Sequence, residues 1–364
     1  MALRPKRCCC ELKGYRSLIP VEATRQTVPL SHSKPRSRSL PHAVRIHAYG
    51  SPDVMVWEDV TTPAPGRGEV QLRQTAIGLN YIDVYHRTGL YPLPDLPATL
   101  GMEAAAIISA IGPEVTGFAV GQRVAYASAP VGAYAEERIM PADRLVSIPQ
   151  AIDDRTAAAI MLQGMTAQYL LRRTYQVRAG DAVLIHAAAG GVGLIACQWA
   201  RHLGATVIGT VGSEAKAALA HSHGCAHPII YNREDFVARV REITGGAGVA
   251  VVYDGVGKET FLRSLECLRP LGMMVSFGNA SGPVPPIEPG LLSAKGSLFL
   301  TRPTLMHYTA RREDLIAAAS EVFSVVQSGA VRVMLNQSYP LAAAADAHRD
   351  LEARKTTGST VLIP

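Results

Sequence analysis

Cysteine is absent from residues 11–196 of this 364-residue chain. That absence excludes a zinc lobe built from four cysteines in this stretch, because such sites need closely spaced thiolate ligands. Beyond the N-terminal stretch the chain has Cys197, Cys225 and Cys267, and their spacing shows no pairing pattern. Unpaired cysteines of this kind are typical of proteins in a reducing cytosol, so we expect a cytoplasmic protein.

Two further absences narrow the class of protein. The chain has no apolar run long enough to span a membrane, and residues 1–41 lack the apolar core of a secretory signal. With 48% hydrophobic and 18% charged residues, the composition is that of a globular protein, and the length is sufficient for two hydrophobic cores.

The body of the chain, residues 42–364, also lacks an excess of charge of one sign. The formal net charge is +6, but residues 1–41 alone hold nine Lys or Arg and two Glu, which leaves 27 basic and 28 acidic residues for the rest. A near-neutral body argues against nucleic acid as a partner. We expect residues 1–41 to be a disordered basic leader, either a targeting segment or an over-called translation start.

What the chain does contain is a glycine turn between an apolar strand and a helix. Residues 182–187 form a short, continuous apolar run, as expected for a parallel strand that is covered on both faces. The turn that follows matches the dinucleotide fingerprint at its second and third glycines, with alanine at the first position. The free N–H groups at the helix start favour a pyrophosphate. The residues predicted to hold it are Ala188, Gly190, Gly191, Val192 and Gly193.

Alternating strands and helices follow this turn, and they predict an α/β fold with a doubly wound parallel sheet. Apolar runs bounded by glycines mark the strands, and helical spacing of apolar residues marks the helices. The strands are predicted at 205–211, 228–231, 249–254 and 273–277, and the helices at 213–223, 235–244 and 259–268.

The end of the second strand of this sheet indicates which dinucleotide binds. NAD sites usually place a carboxylate there, whereas this chain has Gly212 and Ser213 at the strand tip and Lys216 one turn into the helix. A hydroxyl, a helix N-terminus and an ammonium group all favour a 2′-phosphate, so NADPH is the predicted cofactor. Glu214 lies in the same turn and is interpreted as an ordinary acid in the first turn of a helix.

Residues 42–164 are rich in Val, Gly and Pro and predict a mostly β domain. We assign residues 165–305 to the dinucleotide-binding domain and residues 306–364 to a C-terminal segment that rejoins the β domain. In that segment we expect helices at 313–328 and 341–353, a strand at 331–333 and a final strand at 360–363.

These motifs resemble the quinone oxidoreductase, or ζ-crystallin, group of the medium-chain dehydrogenases/reductases. The resemblance covers residues 42–364. The stretches that carry it are G-D-x-x-L-x-x-x-A-A-G-G-V-G-x-x-x-x-Q-x-x-R over 180–201, A-I-G-L-N-Y-I-D-V-Y-H-R-T-G-L-Y over 76–91, and G-S-L-F-L-T-R-P over 296–303. It implies a GroES-like β domain and a Rossmann domain, with coenzyme and substrate in the cleft between them, and usually a homodimer.

The residues argue against a catalytic zinc ion. Zinc-dependent alcohol dehydrogenases use a cysteine in an early loop and the histidine of a G-H-E motif, but this chain reads G-L-N-Y-I-D over 78–83 and G-M-E over 101–103. We therefore predict no metal. Without a Lewis acid, quinones and conjugated enones are the easiest acceptors, because they take a hydride into a delocalised system.

The resemblance also implies roles for individual residues. Asn80 and Tyr85 are expected on the nicotinamide side, and Tyr85 or Tyr91 could donate a hydrogen bond to the carbonyl oxygen that is reduced. Further cofactor contacts are expected at Thr166, Tyr231, Phe277, Gly278 and Arg354.

The predicted function is NADPH-dependent reduction of quinones, with a small-molecule quinone or conjugated carbonyl as partner. Two alternatives remain open at this point. The same fold and cofactor could reduce the double bond of 2-alkenals or enones. In a different class, the chain could bind NADPH or AU-rich RNA without catalysis, although it lacks an aromatic RNA-binding motif.

Overall fold

The computed structural model describes residues 40–364, which form one unit. The leader predicted at residues 1–41 therefore lies outside the described residues, apart from its last two positions. No helix in the described part of the chain is both long and apolar enough to cross a membrane.

The first part of this unit consists mainly of short strands, and along the first half of β3 buried side chains alternate with less buried ones. Short antiparallel strands joined by turns account for the abundance of Val, Gly and Pro in this part of the chain. The strands are β1 (His42–Ile46), β2 (Met55–Asp59), β3 (Glu69–Leu79), β4 (Ala98–Thr99), β5 (Glu103–Ile111), β6 (Arg123–Ala127), β7 (Glu137–Pro141) and β8 (Val146–Ser147).

Two helices in this part shape the later site. Helix α1 (Tyr81–Thr88) follows β3 directly, and its start is fixed because the Asn80 backbone N–H donates to the Asp83 carboxylate at 2.9 Å. Helix α2 (Asp154–Tyr169) is capped by Asp153, whose carboxylate accepts from the Thr156 N–H at 2.9 Å. Helix α2 runs through residues 164 and 165, where the predicted β domain ends and the predicted dinucleotide-binding domain begins. The position of this boundary stays a prediction.

Six parallel strands form the second sheet, in the order β11-β10-β9-β12-β13-β14. Chain order 3-2-1-4-5-6 of this kind defines the doubly wound dinucleotide-binding fold. The strands are β9 (Ala182–Ile185), β10 (Thr206–Val211), β11 (His227–Ile230), β12 (Val249–Asp254), β13 (Leu268–Ser276) and β14 (Phe299–Thr301). The helices are α3 (Gly191–His202), α4 (Glu214–Ser222), α5 (Phe236–Ile243), α6 (Phe261–Leu265) and α7 (Gly290–Ala294).

Strand β13 is longer than predicted. It begins at Leu268 rather than at Met273, and a register shift opposite Val249 and Val251 accommodates the extra residues. The start predicted at residue 273, just after Gly272, is therefore wrong, because the chain pairs with β12 on both sides of this glycine.

The C-terminal segment contributes α8 (Leu305–Tyr308), α9 (Arg312–Gln327), β15 (Leu335–Pro340), α10 (Ala344–Glu352) and β16 (Ser359–Ile363). Strand β16 pairs with β15 on one side and antiparallel with β3 on the other, in a seven-stranded sheet. The strand predicted at 331–333 is wrong. Val331 is buried, but its N–H donates to the Val325 carbonyl at 3.0 Å, so this apolar stretch closes the end of α9.

Candidate active site

A cavity of about 940 Å³ lies over the carboxyl ends of the parallel strands. Residues that directly follow β9, β10, β12, β13 and β14 line one wall, and residues of α1 and α2 line the opposite wall. Strand order reverses between β9 and β12. Dinucleotides bind at such a reversal in open α/β sheets, because the loops on either side diverge and leave a crevice.

The glycine turn after β9 shapes the centre of this cavity. Gly190 caps α3, and its N–H donates to the Ala187 carbonyl at 2.9 Å. A Cβ added at Gly190 would meet one protein atom, at 3.2 Å, so the space beside this residue is open. A Cβ at Gly193 would lie 2.3 Å from the Ala187 carbonyl oxygen. Gly190 therefore leaves room for a ligand, while Gly193 lets α3 pack against the turn.

A cluster of polar groups lies at one end of the cavity, beyond β10 and β11. The Lys216 ammonium donates to the Arg354 carbonyl at 2.6 Å, and the Arg354 guanidinium donates to the Tyr231 hydroxyl at 3.3 Å. Burial and the neighbouring Arg354 charge lower the pKa of Lys216. Glu214 forms an ion pair with Arg233 at 2.5 Å, with both side chains exposed. The structure thus brings Arg354 beside two residues that lie more than 120 positions earlier in the chain.

Two tyrosines project from the opposite wall. The Tyr85 and Tyr91 rings meet edge to face, with centroids 5.1 Å apart. The Tyr85 hydroxyl accepts from the Asn279 backbone N–H at 2.8 Å, and burial raises its pKa. The Tyr91 hydroxyl accepts from the Arg302 guanidinium at 3.0 Å. Since the Tyr85 hydroxyl oxygen accepts a hydrogen bond from the protein, its own proton is available for a ligand. The Tyr91 hydroxyl also lies 3.4 Å from the side-chain amide of Asn279.

Asn80 is held in the wall by a buried network. Its amide nitrogen donates to the Glu103 carboxylate at 2.6 Å, and its amide oxygen accepts from Gln163 at 3.1 Å. The Gln163 oxygen in turn accepts from the Ser359 hydroxyl at 2.7 Å. Burial raises the pKa of Glu103 to about 8. One N–H of Asn80 is left for a ligand after these contacts.

A second buried network lies behind α1. The Tyr134 hydroxyl donates to Asp83 at 3.0 Å and also contacts His348 at 3.1 Å. The guanidinium of Arg87, on the same helix, forms two hydrogen bonds with Glu352, at 2.9 and 2.7 Å. Burial raises the pKa of Asp83 to about 7. These contacts fix the helix that carries Tyr85.

The structure places most of the predicted site residues on the cavity wall. Ala188 and Gly193 are the exceptions, because Ala188 is fully buried and Gly193 packs on the turn. The predicted residues that line the cavity are Asn80, Tyr85, Tyr91, Thr166, Gly190, Gly191, Val192, Gly212, Ser213, Lys216, Tyr231, Phe277, Gly278 and Arg354.

Sequence reasoning missed other wall residues, among them Gln163, Glu259 and Arg302. Arg302 lies within the G-S-L-F-L-T-R-P stretch that carried the resemblance, and that stretch was the available signal for it. Among residues 40–364, no group of three or more His, Cys, Asp or Glu side chains is arranged to hold a metal ion.

A doubly wound sheet beside a β-rich domain, with a cleft over the strand ends, is the architecture of the medium-chain dehydrogenases/reductases. Family models agree with this class. Residues 66–150 match the alcohol dehydrogenase GroES-like domain, and residues 191–324 match a family described as zinc-binding dehydrogenase. The predicted fold class is thereby confirmed.

Known proteins narrow the class further. The chain is 53% identical over 321 residues to a quinone oxidoreductase of Pseudomonas aeruginosa, covering 88% of this chain and 99% of that protein. It is 50% identical to a 2-haloacrylate reductase of a Burkholderia species, covering 88% and 98%. The crystal structure of Escherichia coli quinone oxidoreductase complexed with NADPH superposes with a TM-score of 0.87 at 48% identity, covering 89% of this chain and all of that one. The chain belongs to the quinone oxidoreductase group of the medium-chain dehydrogenases/reductases.

Proposed function

We propose that this protein is an NADPH-dependent quinone reductase that works without a metal ion. The observation that carries the proposal is the single cavity that joins the Lys216, Tyr231 and Arg354 cluster at one end to the two tyrosine hydroxyls at the other. Relatives named as quinone oxidoreductases and a related structure complexed with NADPH support it.

The residues present fit this cofactor. The open space beside Gly190 and the N–H groups of the first turn of α3 would receive the pyrophosphate. Lys216, Tyr231 and Arg354 would hold the 2′-phosphate by charge and hydrogen bonding. Asn80 and Thr166 would line the nicotinamide end. When bound there, NADPH supplies a hydride.

The acceptor is held by the chain's own donors. The Tyr85 and Tyr91 hydroxyls would donate hydrogen bonds to the quinone oxygen, on which negative charge develops as the hydride arrives. Arg302 donates to Tyr91, which strengthens that hydroxyl as a donor. Positioning and hydrogen bonding then replace the Lewis acid of zinc-dependent relatives, so a chelator is expected to leave activity unchanged.

A second candidate is reduction of the carbon–carbon double bond of 2-alkenals or other conjugated carbonyl compounds. The observation that favours it is the 50% identity to a relative named 2-haloacrylate reductase. The same hydrogen-bond donors would serve that reaction, because charge again develops on a conjugated oxygen.

We also propose a cytoplasmic homodimer. Cys197, Cys225 and Cys267 are buried free thiols in the described part of the chain, which supports a reducing compartment. Strand β14 lies at an edge of the parallel sheet and exposes Phe299 and Leu300, which supports a self-association surface.

Initial rates of NADPH and NADH oxidation with a set of quinones and a set of 2-alkenals, in parallel, test the proposed function. Fast quinone-dependent oxidation of NADPH, with little of NADH, is the expected result. Turnover of alkenals alone would favour the second candidate. The absence of turnover with both sets of acceptors would contradict both candidate reactions and leave binding without catalysis as the function.

A further inference from the structure

The charges on the cavity wall do not balance. Among residues 40–364, the wall holds four cationic side chains, and Glu259 is its one acidic side chain. Arg354 lies 3.4 Å from Glu259, and Arg263 pairs with Asp235 at 2.5 Å. Lys216 and Arg302 have no carboxylate partner among the described residues. A cation without a partner in a ligand cavity indicates a ligand anion, and the two cations need separate explanations.

The 2′-phosphate accounts for Lys216 in the proposed function, but it cannot account for Arg302. Lys216 follows β10 and Arg302 follows β14, and these strands are four positions apart in the parallel sheet. At the usual strand spacing the separation across the sheet is about 19 Å. Arg302 instead lies with Tyr91 at the end of the cavity where the acceptor would bind.

The Arg302 guanidinium is anchored yet keeps free donors. It donates from Nη1 to the Ser276 carbonyl at 2.7 Å and from Nη2 to the Tyr91 hydroxyl at 3.0 Å. With the Asn279 amide oriented to donate to the Gly278 carbonyl, its oxygen also accepts from Nη2, at 3.1 Å. Two of the five guanidinium N–H groups still have no partner among the described residues.

We propose that Arg302 is a specificity-determining residue that binds a carboxylate on the acceptor, so that the enzyme also reduces 2-enoates. Their carboxylate is conjugated to the double bond. Arg302 and Tyr91 both line the cavity and are hydrogen-bonded to each other, so a guanidinium charge with two free N–H groups lies beside the acceptor, which suits the two oxygens of a carboxylate. The inference rests on the proposed function, because it needs the same cofactor in the same cavity.

The reaction balances with the species already named. A hydride from NADPH adds to the carbon β to the carboxylate, and the electron pair of the double bond moves onto the α carbon and the carboxylate oxygens. A proton from water then adds to the α carbon. NADPH is oxidised to NADP⁺ and the double bond is reduced to a single bond. Arg302 stabilises the charge that gathers on the carboxylate oxygens.

The test compares kcat/KM for acrylate, methyl acrylate and 1,4-benzoquinone in the wild type and in Arg302→Gln, Arg302→Lys and Arg269→Gln. Intrinsic reactivity differs between these acceptors, but it cancels when each variant is divided by the wild type. Arg269 is an exposed arginine away from the cavity wall, so its variant is the matched control.

Arg302→Gln is expected to lower kcat/KM for acrylate about 10- to 100-fold more than for the two neutral acceptors, as for the loss of a hydrogen-bonded charge pair. Arg302→Lys should recover part of the loss, since the charge is retained. Equal losses for all three acceptors would overturn the inference. Wild-type turnover of benzoquinone but not of acrylate would overturn it while the proposed function stands, whereas turnover of neither class of acceptor would overturn both.

Discussion

At the scale of single residues, the turn after β9 needs glycine at two positions, Gly190 and Gly193, for different physical reasons. Gly193 is surrounded by backbone, with the Ala187 oxygen 2.3 Å from the position of an added Cβ, so it is needed for folding. Gly190 borders open space in the cavity. A side chain there fills the room for a pyrophosphate but meets little protein.

Gly190→Val is therefore expected to abolish binding of NADPH while leaving a folded protein. Fluorescence titration with NADPH measures the binding, and thermal unfolding followed by circular dichroism measures the fold. Gly193→Val is the matched comparison and should lower the unfolding midpoint strongly. Retained NADPH binding in Gly190→Val would contradict the proposed position of the pyrophosphate.

Lys216 is the residue that distinguishes NADPH from NADH in this proposal. Lys216→Glu places a carboxylate beside the proposed 2′-phosphate, so the KM for NADPH should rise far more than the KM for NADH. Steady-state kinetics with both coenzymes measure this. Lys295→Glu, at a lysine paired with Glu266 away from the cavity wall, should change neither value. Equal changes for the two coenzymes in Lys216→Glu would refute the assignment.

At the scale of elements, the network of Asn80, Glu103, Gln163 and Ser359 joins the loop after β3, strand β5, helix α2 and strand β16. The Glu103 carboxylate also accepts from the Leu162 N–H of α2 at 2.6 Å. These elements come from distant parts of the chain. Their polar groups are satisfied by one another, which fixes the wall of the cavity.

Glu103 gives this network a pH dependence. Its pKa rises from the ordinary 4.5 to about 8 in the folded protein, so between these values the folded chain holds a proton that the unfolded chain has lost. The contribution of Glu103 to the free energy of unfolding is therefore fully present below about pH 4.5 and is lost as the pH rises through 8.

Glu103→Gln cannot ionise, and it replaces one acceptor oxygen by a donor. We expect it to be less stable than the wild type near pH 5.5, by about 1–3 kcal/mol for an unsatisfied buried group. The difference should shrink by pH 8.5, because only the wild type loses stability through this carboxyl. Urea unfolding at several pH values measures the difference, in which titrations of other groups cancel. A difference independent of pH would contradict the role given to Glu103.

At the scale of the whole molecule, the exposed edge of the parallel sheet is the place where two copies would meet. Phe299 is 56% exposed on β14, which pairs with β13 and ends the strand order of the sheet. Unpaired N–H and C=O groups beside exposed apolar side chains favour pairing with another chain.

Phe299→Glu is expected to shift the proposed dimer toward monomer by adding like charges across a two-fold contact. Analytical ultracentrifugation measures the mass. Val120→Glu, at an apolar residue that is 64% exposed in the β-rich part of the chain, is the control and should leave the mass unchanged. A wild-type protein that sediments as a monomer would contradict the proposed homodimer.

Much of the fold follows from local patterns. Strand β12 was predicted with its observed bounds, because a continuous apolar run between turn residues is a local signal. The strand predicted at 331–333 failed because an apolar run can also close the end of a helix, as Val331 does on α9. Gln163 lies in an ordinary helix sequence, so no local pattern singled it out. Arg302 lies in the G-S-L-F-L-T-R-P stretch that carried the resemblance, but nothing in that stretch distinguished it from its neighbours as a residue of the site.

The sequence by itself determined the glycine turn, the parallel sheet and the absence of an acid at the tip of β10, since each depends on residues close together in the chain. The tertiary structure alone decided which side chains share the cavity. Arg302 meets Tyr91 across 211 positions, and Gln163 meets Asn80 across 83. Hydrogen bonds of such sequence separation form because the buried core fixes the elements against one another, and that packing has no local signature.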